Sequence, residues 1–313
     1  MVMGYASGIL CAYIIGSWLS YSGVIIFYLV TCALFFPAWW FMPESPAYLL
    51  LNENDKEALG VLQWLLGSHG THARDALERL KREQAGAVKS ATFKQFFNSR
   101  AAVKGLILGM ILMTIQTFSG VFAVQSYASS IISRSGGGLS PEAGSLLYGS
   151  LMVVGSTLPP IIADRLPRRV ILGISCTMLS AGMATLGTFQ YLRTQGLDMS
   201  EPGSVLGFMP TVVLAVTVFF HFIGLGSVAY LTITELFSDE TRGLAGSLIA
   251  VVIWGTSFIL LQFFGIAVEV FGDHTVFFFF SSVCAFGLFF TCVILPETRG
   301  KSPEEMAAIL SKR

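Results

Sequence analysis

The sequence predicts an all-α membrane protein, a helical bundle of about eight transmembrane helices joined to one cytoplasmic helical linker. Three observations lead there. Of 313 residues, 54% are hydrophobic and only 12% charged, about half the charged share of an ordinary soluble domain. The charges are segregated: residues 1–43 hold none, residues 44–104 hold sixteen, and the rest form short clusters between long apolar runs. Finally, every Lys and Arg falls in a connection between apolar runs, and alternate connections carry seventeen of the nineteen. Basic residues are retained on the cytoplasmic side, so both termini and the 44–104 stretch are expected there.

The spans follow from length and charge. A hydrocarbon core about 30 Å thick needs about 20 apolar residues per helix, and a Lys, Arg or Asp at a helix centre costs about 3 kcal/mol. Charge-free stretches then fall near 2–20, 23–42, 105–132, 144–163, 170–192, 207–234, 244–268 and 275–295. The first uncharged stretch is twice a span long and divides at Ser20-Tyr21-Ser22-Gly23. It is not a secretory signal, because no basic segment precedes it and no hydrophilic domain follows. Between the second and third spans, residues 44–100 mix charge with helix formers and spaced leucines, which predicts two or three short amphipathic helices.

Several function classes are excluded or made improbable. A net charge of zero gives no electrostatic reason for a nucleic-acid partner. There is no phosphate-cradling glycine loop, no nucleophile elbow and no span with paired carboxylates, so neither an enzyme nor a cofactor is expected. The five cysteines, Cys11, Cys32, Cys176, Cys284 and Cys292, lie inside spans without a CxxC or a Cys/His cluster. They read as small buried apolar side chains, with no metal site. His221 is the only histidine in a span; a neutral structural role is preferred to proton transfer. Gly105 and Gly109 read as a helix-packing notch.

The connections carry motifs. Pro43-Glu44-Ser45-Pro46-Ala47, Ala163-Asp164-Arg165-Leu166-Pro167-Arg168-Arg169, Glu235-Leu236-Phe237-Ser238 with Arg242-Gly243, and Pro296-Glu297-Thr298-Arg299-Gly300-Lys301 all fall at cytoplasmic helix ends; Gln116-Thr117-Phe118-Ser119-Gly120 lies within the third span. In this order and spacing they resemble the signature segments of sugar porters in the major facilitator superfamily, facilitative glucose transporter-like proteins, and most nearly those of insect facilitated trehalose transporters. Two departures stand out: Ala47 where the family has Arg, and Pro167 where it has Gly.

The resemblance implies the rest of the expectation. Residues 1–43 correspond to family helices five and six, the remnant of an N-terminal half lacking its first four helices. Residues 44–100 correspond to the cytoplasmic linker, 101–296 to a six-helix C-terminal half, and 297–313 to a cytoplasmic tail. The implied function is carriage of a sugar, trehalose or a hexose, across the plasma membrane by facilitated alternating access, with membrane lipids as surroundings. The alternative is a non-transporting regulator, sensor or inactive truncated paralogue.

Family sugar contacts fall by alignment on Gln116, Thr117, Phe122, Met152, Tyr230 and Ile253, with Trp254 beside the last. Only Gln116 keeps the family residue, and the chain's three asparagines, Asn52, Asn54 and Asn98, all lie outside the spans. An apolar or amphipathic solute would suit Phe122, Met152 and Ile253. Gln116, Ser119, Gly120, Ala123 and Tyr127 would share one face of a continuous helix, and Gly224 and Gly226 would mark a break in the family's tenth helix. The resemblance also assigns Glu44, Asp164, Arg168, Arg169, Glu235, Arg242 and Glu297 to a cytoplasmic latch that exchanges charge-assisted hydrogen bonds between gate states.

Overall fold

The computed structural model describes residues 2–67, 71–85, 92–134, 140–196 and 205–312. It divides into two compact units, residues 19–89 and residues 1–18 with 90–313, and is helical among the described residues.

In the smaller unit the first helix is α2 (Tyr21–Trp40), which follows α1 (Val2–Trp18) in the chain: twenty apolar residues with none buried, as a lipid-exposed span requires. Three short helices follow, α3 (Pro46–Leu51), α4 (Asp55–Leu66) and α5 (Thr71–Ala85). Pro46 opens α3, where its missing N–H costs nothing. Gly67 closes α4 in the left-handed conformation at φ 60°. Of the spaced leucines, Leu62 and Leu77 join Leu49, Leu50, Ala58, Val61 and Ala73 in a small core, with Leu59 and Leu80 packed against it, whereas Leu65 and Leu66 are exposed; Lys81 of α5 pairs with Asp55 of α4.

The larger unit contains α1 (Val2–Trp18), α6 (Phe93–Asn98), α7 (Arg100–Thr117), α8 (Val121–Arg134), α9 (Pro141–Thr157), α10 (Pro159–Ala163), α11 (Arg168–Thr194), α12 (Val205–Ile223), α13 (Val228–Leu236), α14 (Asp239–Phe271), α15 (Asp273–Phe289), a π turn (Phe290–Ile294) and α16 (Pro303–Lys312). Across both units, seven helical stretches among the described residues are long and apolar enough to cross a membrane, and α1 is a shorter apolar helix. α11 packs along α15, α9 against α1 and α12, and α7 against α14. Small residues set these approaches. Ser180 and Ser281 exchange hydroxyl-to-carbonyl hydrogen bonds of 3.0 and 2.8 Å between α11 and α15, and Gly187 receives the Phe278 ring.

Besides the division of α9 from α10 at Leu158, ahead of Pro159 and Pro160, two spans among the described residues are broken at glycines, and each break has a local cause. Gly120, at φ 88°, separates α7 from α8, and the Phe280 ring lies where a β-carbon would be. The expected continuous face through Gln116, Gly120 and Tyr127 is therefore corrected to two helices meeting at a kink. The break between α12 and α13 falls where the glycines predict it. Gly224 and Gly226 lie in the turn, Gly226 N–H donates to His221 O at 2.7 Å, and Ser175 of α11 serves both sides. Its hydroxyl donates to Phe220 O at 2.9 Å and accepts from Leu225 N at 3.2 Å. Freed backbone groups in a span must find partners inside the protein, and Ser175 supplies two of them. The Gly105 and Gly109 notch receives side chains, Phe237 and Ile249, and not a neighbouring backbone. Of the cysteines, Cys176 and Cys284 are buried, whereas Cys11, Cys32 and Cys292 are exposed, because their spans present those faces outward.

Candidate functional site: a polar cluster and a charge network at the helix ends

Near the end of α7, Gln116 and Thr117 are buried in an otherwise apolar core. The Thr256 hydroxyl of α14 reaches the Thr117 hydroxyl at 3.4 Å. The Tyr230 phenol of α13 interacts with the Gln116 side chain, and Gln116 Oε1 has no partner. The kink at Gly120 then turns α8 so that Gln125 meets α1. Its side-chain amide nitrogen donates to the Tyr5 hydroxyl at 2.9 Å, and its backbone carbonyl accepts from the Tyr13 hydroxyl at 2.7 Å. The Tyr13 ring meets that of Tyr148 edge to face at 6.5 Å. Tyr148 is fully buried, and its hydroxyl has no partner.

The cluster thus draws on α1, α7, α8, α9, α13 and α14. Among the residues expected from the sequence, it gathers Gln116, Thr117 and Tyr230. Met152 and Ile253 are buried one helical turn from Tyr148 and Thr256 respectively, and Phe122 is half-buried one turn before Gln125. Trp254 is not brought in: it lies about 100° round α14 from Ile253 and is 69% exposed, on the outward face with Val251 and Phe258. Tyr5, Tyr13, Tyr148 and Thr256 are members that the motifs do not announce. A signal exists for two of them, since Tyr5 and Tyr13 are eight residues apart and share a face of α1.

His221 is buried in the final turn of α12 with its ring against Gly226, and its Nδ1 has no partner. Three grooves lie elsewhere. One of about 630 Å³ runs along α11 past Arg169, Ile174 and Cys292. A second, of about 370 Å³, is walled by phenylalanines of α14 and α15. The third, of about 340 Å³, lies between Lys104 and Leu310.

At the end of the same unit where α11 begins, five charged residues interlock. Arg168 is buried, and its guanidinium pairs with Glu235 at 2.9 Å and donates to the Ala163 carbonyl. Glu235 also accepts from the Thr298 hydroxyl. α11 begins at Arg168 after Pro167, which has no side chain able to cap it. The Glu297 carboxylate supplies the cap from a distant part of the chain. It accepts from the backbone N–H of Arg168 at 2.9 Å and Arg169 at 3.2 Å, and from Arg299 N–H at 3.0 Å. A carboxylate at a helix N-terminus satisfies orphan donors and meets the positive end of the dipole. The Arg169 guanidinium donates to the carbonyls of Thr291 and Cys292, and Arg299 donates to those of Arg165 and Asp164.

The expected latch is therefore partly assembled. Arg168, Arg169, Glu235 and Glu297 come together, and Asp164 enters through its backbone carbonyl, not its carboxylate, which is exposed. Arg242 donates to the carbonyls of Thr234 and Phe237, holding the end of α13. Glu44 lies in the smaller unit, exposed, and accepts from Ser45 N–H at 3.3 Å. Thr298 and Arg299 belong to the network without having been singled out, although both stand inside the Pro296–Lys301 motif.

Comparison with known proteins bears on the family and the fold. A family model described as "Sugar (and other) transporter" matches residues 2–310. Over 96% of its length the chain is 28% identical to the facilitated trehalose transporters Tret1 of Anopheles gambiae and Bombyx mori, covering 37% and 59% of them. It therefore spans less than two thirds of these relatives. In fold it is similar to the xylose transporter XylE from E. coli in an inward-open conformation, with a TM-score of 0.76 and 21% identity over 98% of this chain and 64% of that one.

Proposed function

The chain belongs to the sugar (and other) transporter family, and from that premise we propose that it carries a sugar, trehalose or a hexose, across the plasma membrane by facilitated alternating access. It is a multi-pass membrane protein of the major facilitator fold. Both termini and the 44–100 linker stand on the cytoplasmic side in this reading, as the distribution of basic residues favours.

The observation that carries the proposal is the polar cluster around Gln116, in which Gln116, Thr117 and Tyr148 are buried and Tyr5 and Tyr230 partly exposed. A bundle inside a membrane has no reason to gather two glutamines and four tyrosines unless they serve one another or a ligand. Here Gln116 Oε1 and the Tyr148 hydroxyl serve neither in the structure. Gln116, Thr117 and Tyr230 are assigned to the substrate, with Phe122, Met152 and Ile253 as the apolar wall. Trp254, 69% exposed, is kept as a candidate lining of the path. Arg168, Arg169, Glu235 and Glu297 act as the gate, holding the cytoplasmic ends of α11, α13 and α15 in one arrangement and hydrating in the other.

The amide has to act on a ligand hydroxyl for this to hold. Gln116→Ala is expected to lower sugar flux into proteoliposomes at least tenfold with unchanged membrane insertion. Unaltered flux removes Gln116 from the site. A chain that inserts but carries no sugar returns the regulator reading.

A further inference from the structure

The last span ends in a way that fixes a cation in place. Its π turn, Phe290–Ile294, runs into Leu295 and Pro296. Leu295 N–H donates back to Phe290 O at 2.9 Å, and Pro296 has no N–H to give, so the carbonyls of Thr291 and Cys292 are left over at the helix end. Arg169 of α11 supplies both, through Nε to Thr291 O at 3.0 Å and Nη2 to Cys292 O. Those two bonds hold the guanidinium still and leave Nη1 without a hydrogen-bond partner among the described residues.

Arg169 also stands at one end of the 630 Å³ groove. Val170, Ile174, Thr177 and Met178 line it along one face of α11, with Leu288 and Cys292 opposite. Gly173 is its floor: a β-carbon there would lie 3.7 Å from Leu288 Cδ1 and 4.0 Å from Cys292 Sγ. Val170 and Ile174 are exposed, so the groove opens outward on a spanning helix. From Val170 to Met178 it runs about 12 Å at 1.5 Å per residue, most of the roughly 15 Å of hydrocarbon in one leaflet.

The charge around that end is positive. Segments 164–169 and 296–301 are joined by hydrogen bonds from Arg299 to the carbonyls of Asp164 and Arg165, and together they hold five basic residues and two carboxylates. One of the two, Glu297, is committed to backbone N–H groups. The groove along α7 repeats the pattern, with Lys104 at the end where that helix starts and with Ile107, Val293 and Ile294 in its wall.

We propose that the groove along α11 is a binding site for an anionic phospholipid, its phosphate on Arg169 Nη1 and one acyl chain lying over Gly173 between α11 and the π turn. Guanidinium meets phosphate through charge-assisted hydrogen bonds, and a side chain already ordered by two backbone bonds loses little freedom in doing so. The surrounding excess of basic residues favours an anionic headgroup over a choline. The assignment stands apart from what the chain carries, or whether it carries anything.

The test is lipid binding to the full chain in detergent by native mass spectrometry, with dioleoyl phosphatidylglycerol as probe and dioleoyl phosphatidylcholine, of the same chains, as comparison. All measurements use a Lys104→Gln background, so that the α7 groove contributes no cation. Phosphatidylglycerol is expected to bind at least tenfold more tightly than phosphatidylcholine. Arg169→Gln should weaken it about tenfold. Gly173→Leu, which fills the groove and leaves Arg169 in place, should weaken it by a similar factor, whereas Arg193→Gln, at the other end of α11, should leave it unchanged. Equal affinity for the two lipids overturns the anionic selectivity. Undiminished binding in Gly173→Leu overturns the groove as the seat of the chain, and does so even where Arg169→Gln loosens the end of the last span. Displacement by glycerol 3-phosphate at concentrations matching the lipid would reveal a site for free phosphate and overturn the lipid assignment.

Discussion

Glu297→Ala should unfasten the start of α11. The carboxylate accepts three backbone N–H groups, those of Arg168, Arg169 and Arg299, at 2.9, 3.2 and 3.0 Å. Two of them are the first donors of a helix with no cap of its own. A charge-assisted hydrogen bond contributes about 1.5–3 kcal/mol, and a carboxylate near a helix N-terminus adds about 0.3–1 kcal/mol. Glu297 is partly exposed, so water reclaims part of that, and about 2–4 kcal/mol remains after discounting by roughly half. At 1.4 kcal/mol per factor of ten, amide hydrogen exchange at Arg168, Arg169 and Arg299 should accelerate by roughly 30-fold or more in detergent micelles. Exchange in the middle of α11 should stay slow. Glu297→Gln retains an acceptor oxygen and loses the charge, so its acceleration should fall between wild type and Ala. Unchanged exchange at Arg168 and Arg169 in Glu297→Ala would refute the idea that this carboxylate caps α11 and, with it, the place of Glu297 in the gate.

Three further substitutions read the same physics elsewhere. Glu235→Gln leaves the buried Arg168 guanidinium without its counter-charge. Breaking a buried pair costs about 3–5 kcal/mol, here reduced to about 2–3 kcal/mol because the Glu235 side chain is 22% exposed, and a lower thermal midpoint that Glu235→Asp partly restores is the expected result. Gly224→Ala places a β-carbon 2.3 Å from Ser175 Cβ and 3.0 Å from Ile171 O, a clash of about 1–3 kcal/mol. A double-mutant cycle with Ser175→Gly should recover part of that, and strict additivity would sink the coupling. Gly120→Ala meets both a left-handed φ of 88° and the Phe280 ring at 2.5 Å, so Phe280→Leu should relieve the steric share only and leave about 1–2 kcal/mol of backbone strain.

What the sequence reveals and conceals divides along a physical line. Spans, their number and the linker helices are legible because burial in lipid and amphipathic packing act on every residue of a segment, and periodicity sums over them. The break at Gly224 and Gly226 is legible for a different reason: the resemblance places a broken helix there, whereas the glycine pair Gly105 and Gly109 lies in an unbroken one. The kink at Gly120 is harder to read, because one glycine in a span is common and its positive φ depends on Phe280 arriving from α15. The charge network was half visible. Its members occupy helix ends, which the spacing shows, but pairing Glu297 with α11 requires knowing that residues more than a hundred positions apart end at the same surface. Pro167 then takes on a meaning that the sequence alone does not give. It removes the local cap, and the carboxylate of Glu297 takes over a function that a Ser or Asp at position 167 would have performed within the loop, so the helix start and the chain's last connection become one element. A substitution that restored a local cap, Pro167→Ser, should accordingly make exchange at Arg168 less sensitive to Glu297→Ala, and an undiminished sensitivity would show that the two caps are not interchangeable.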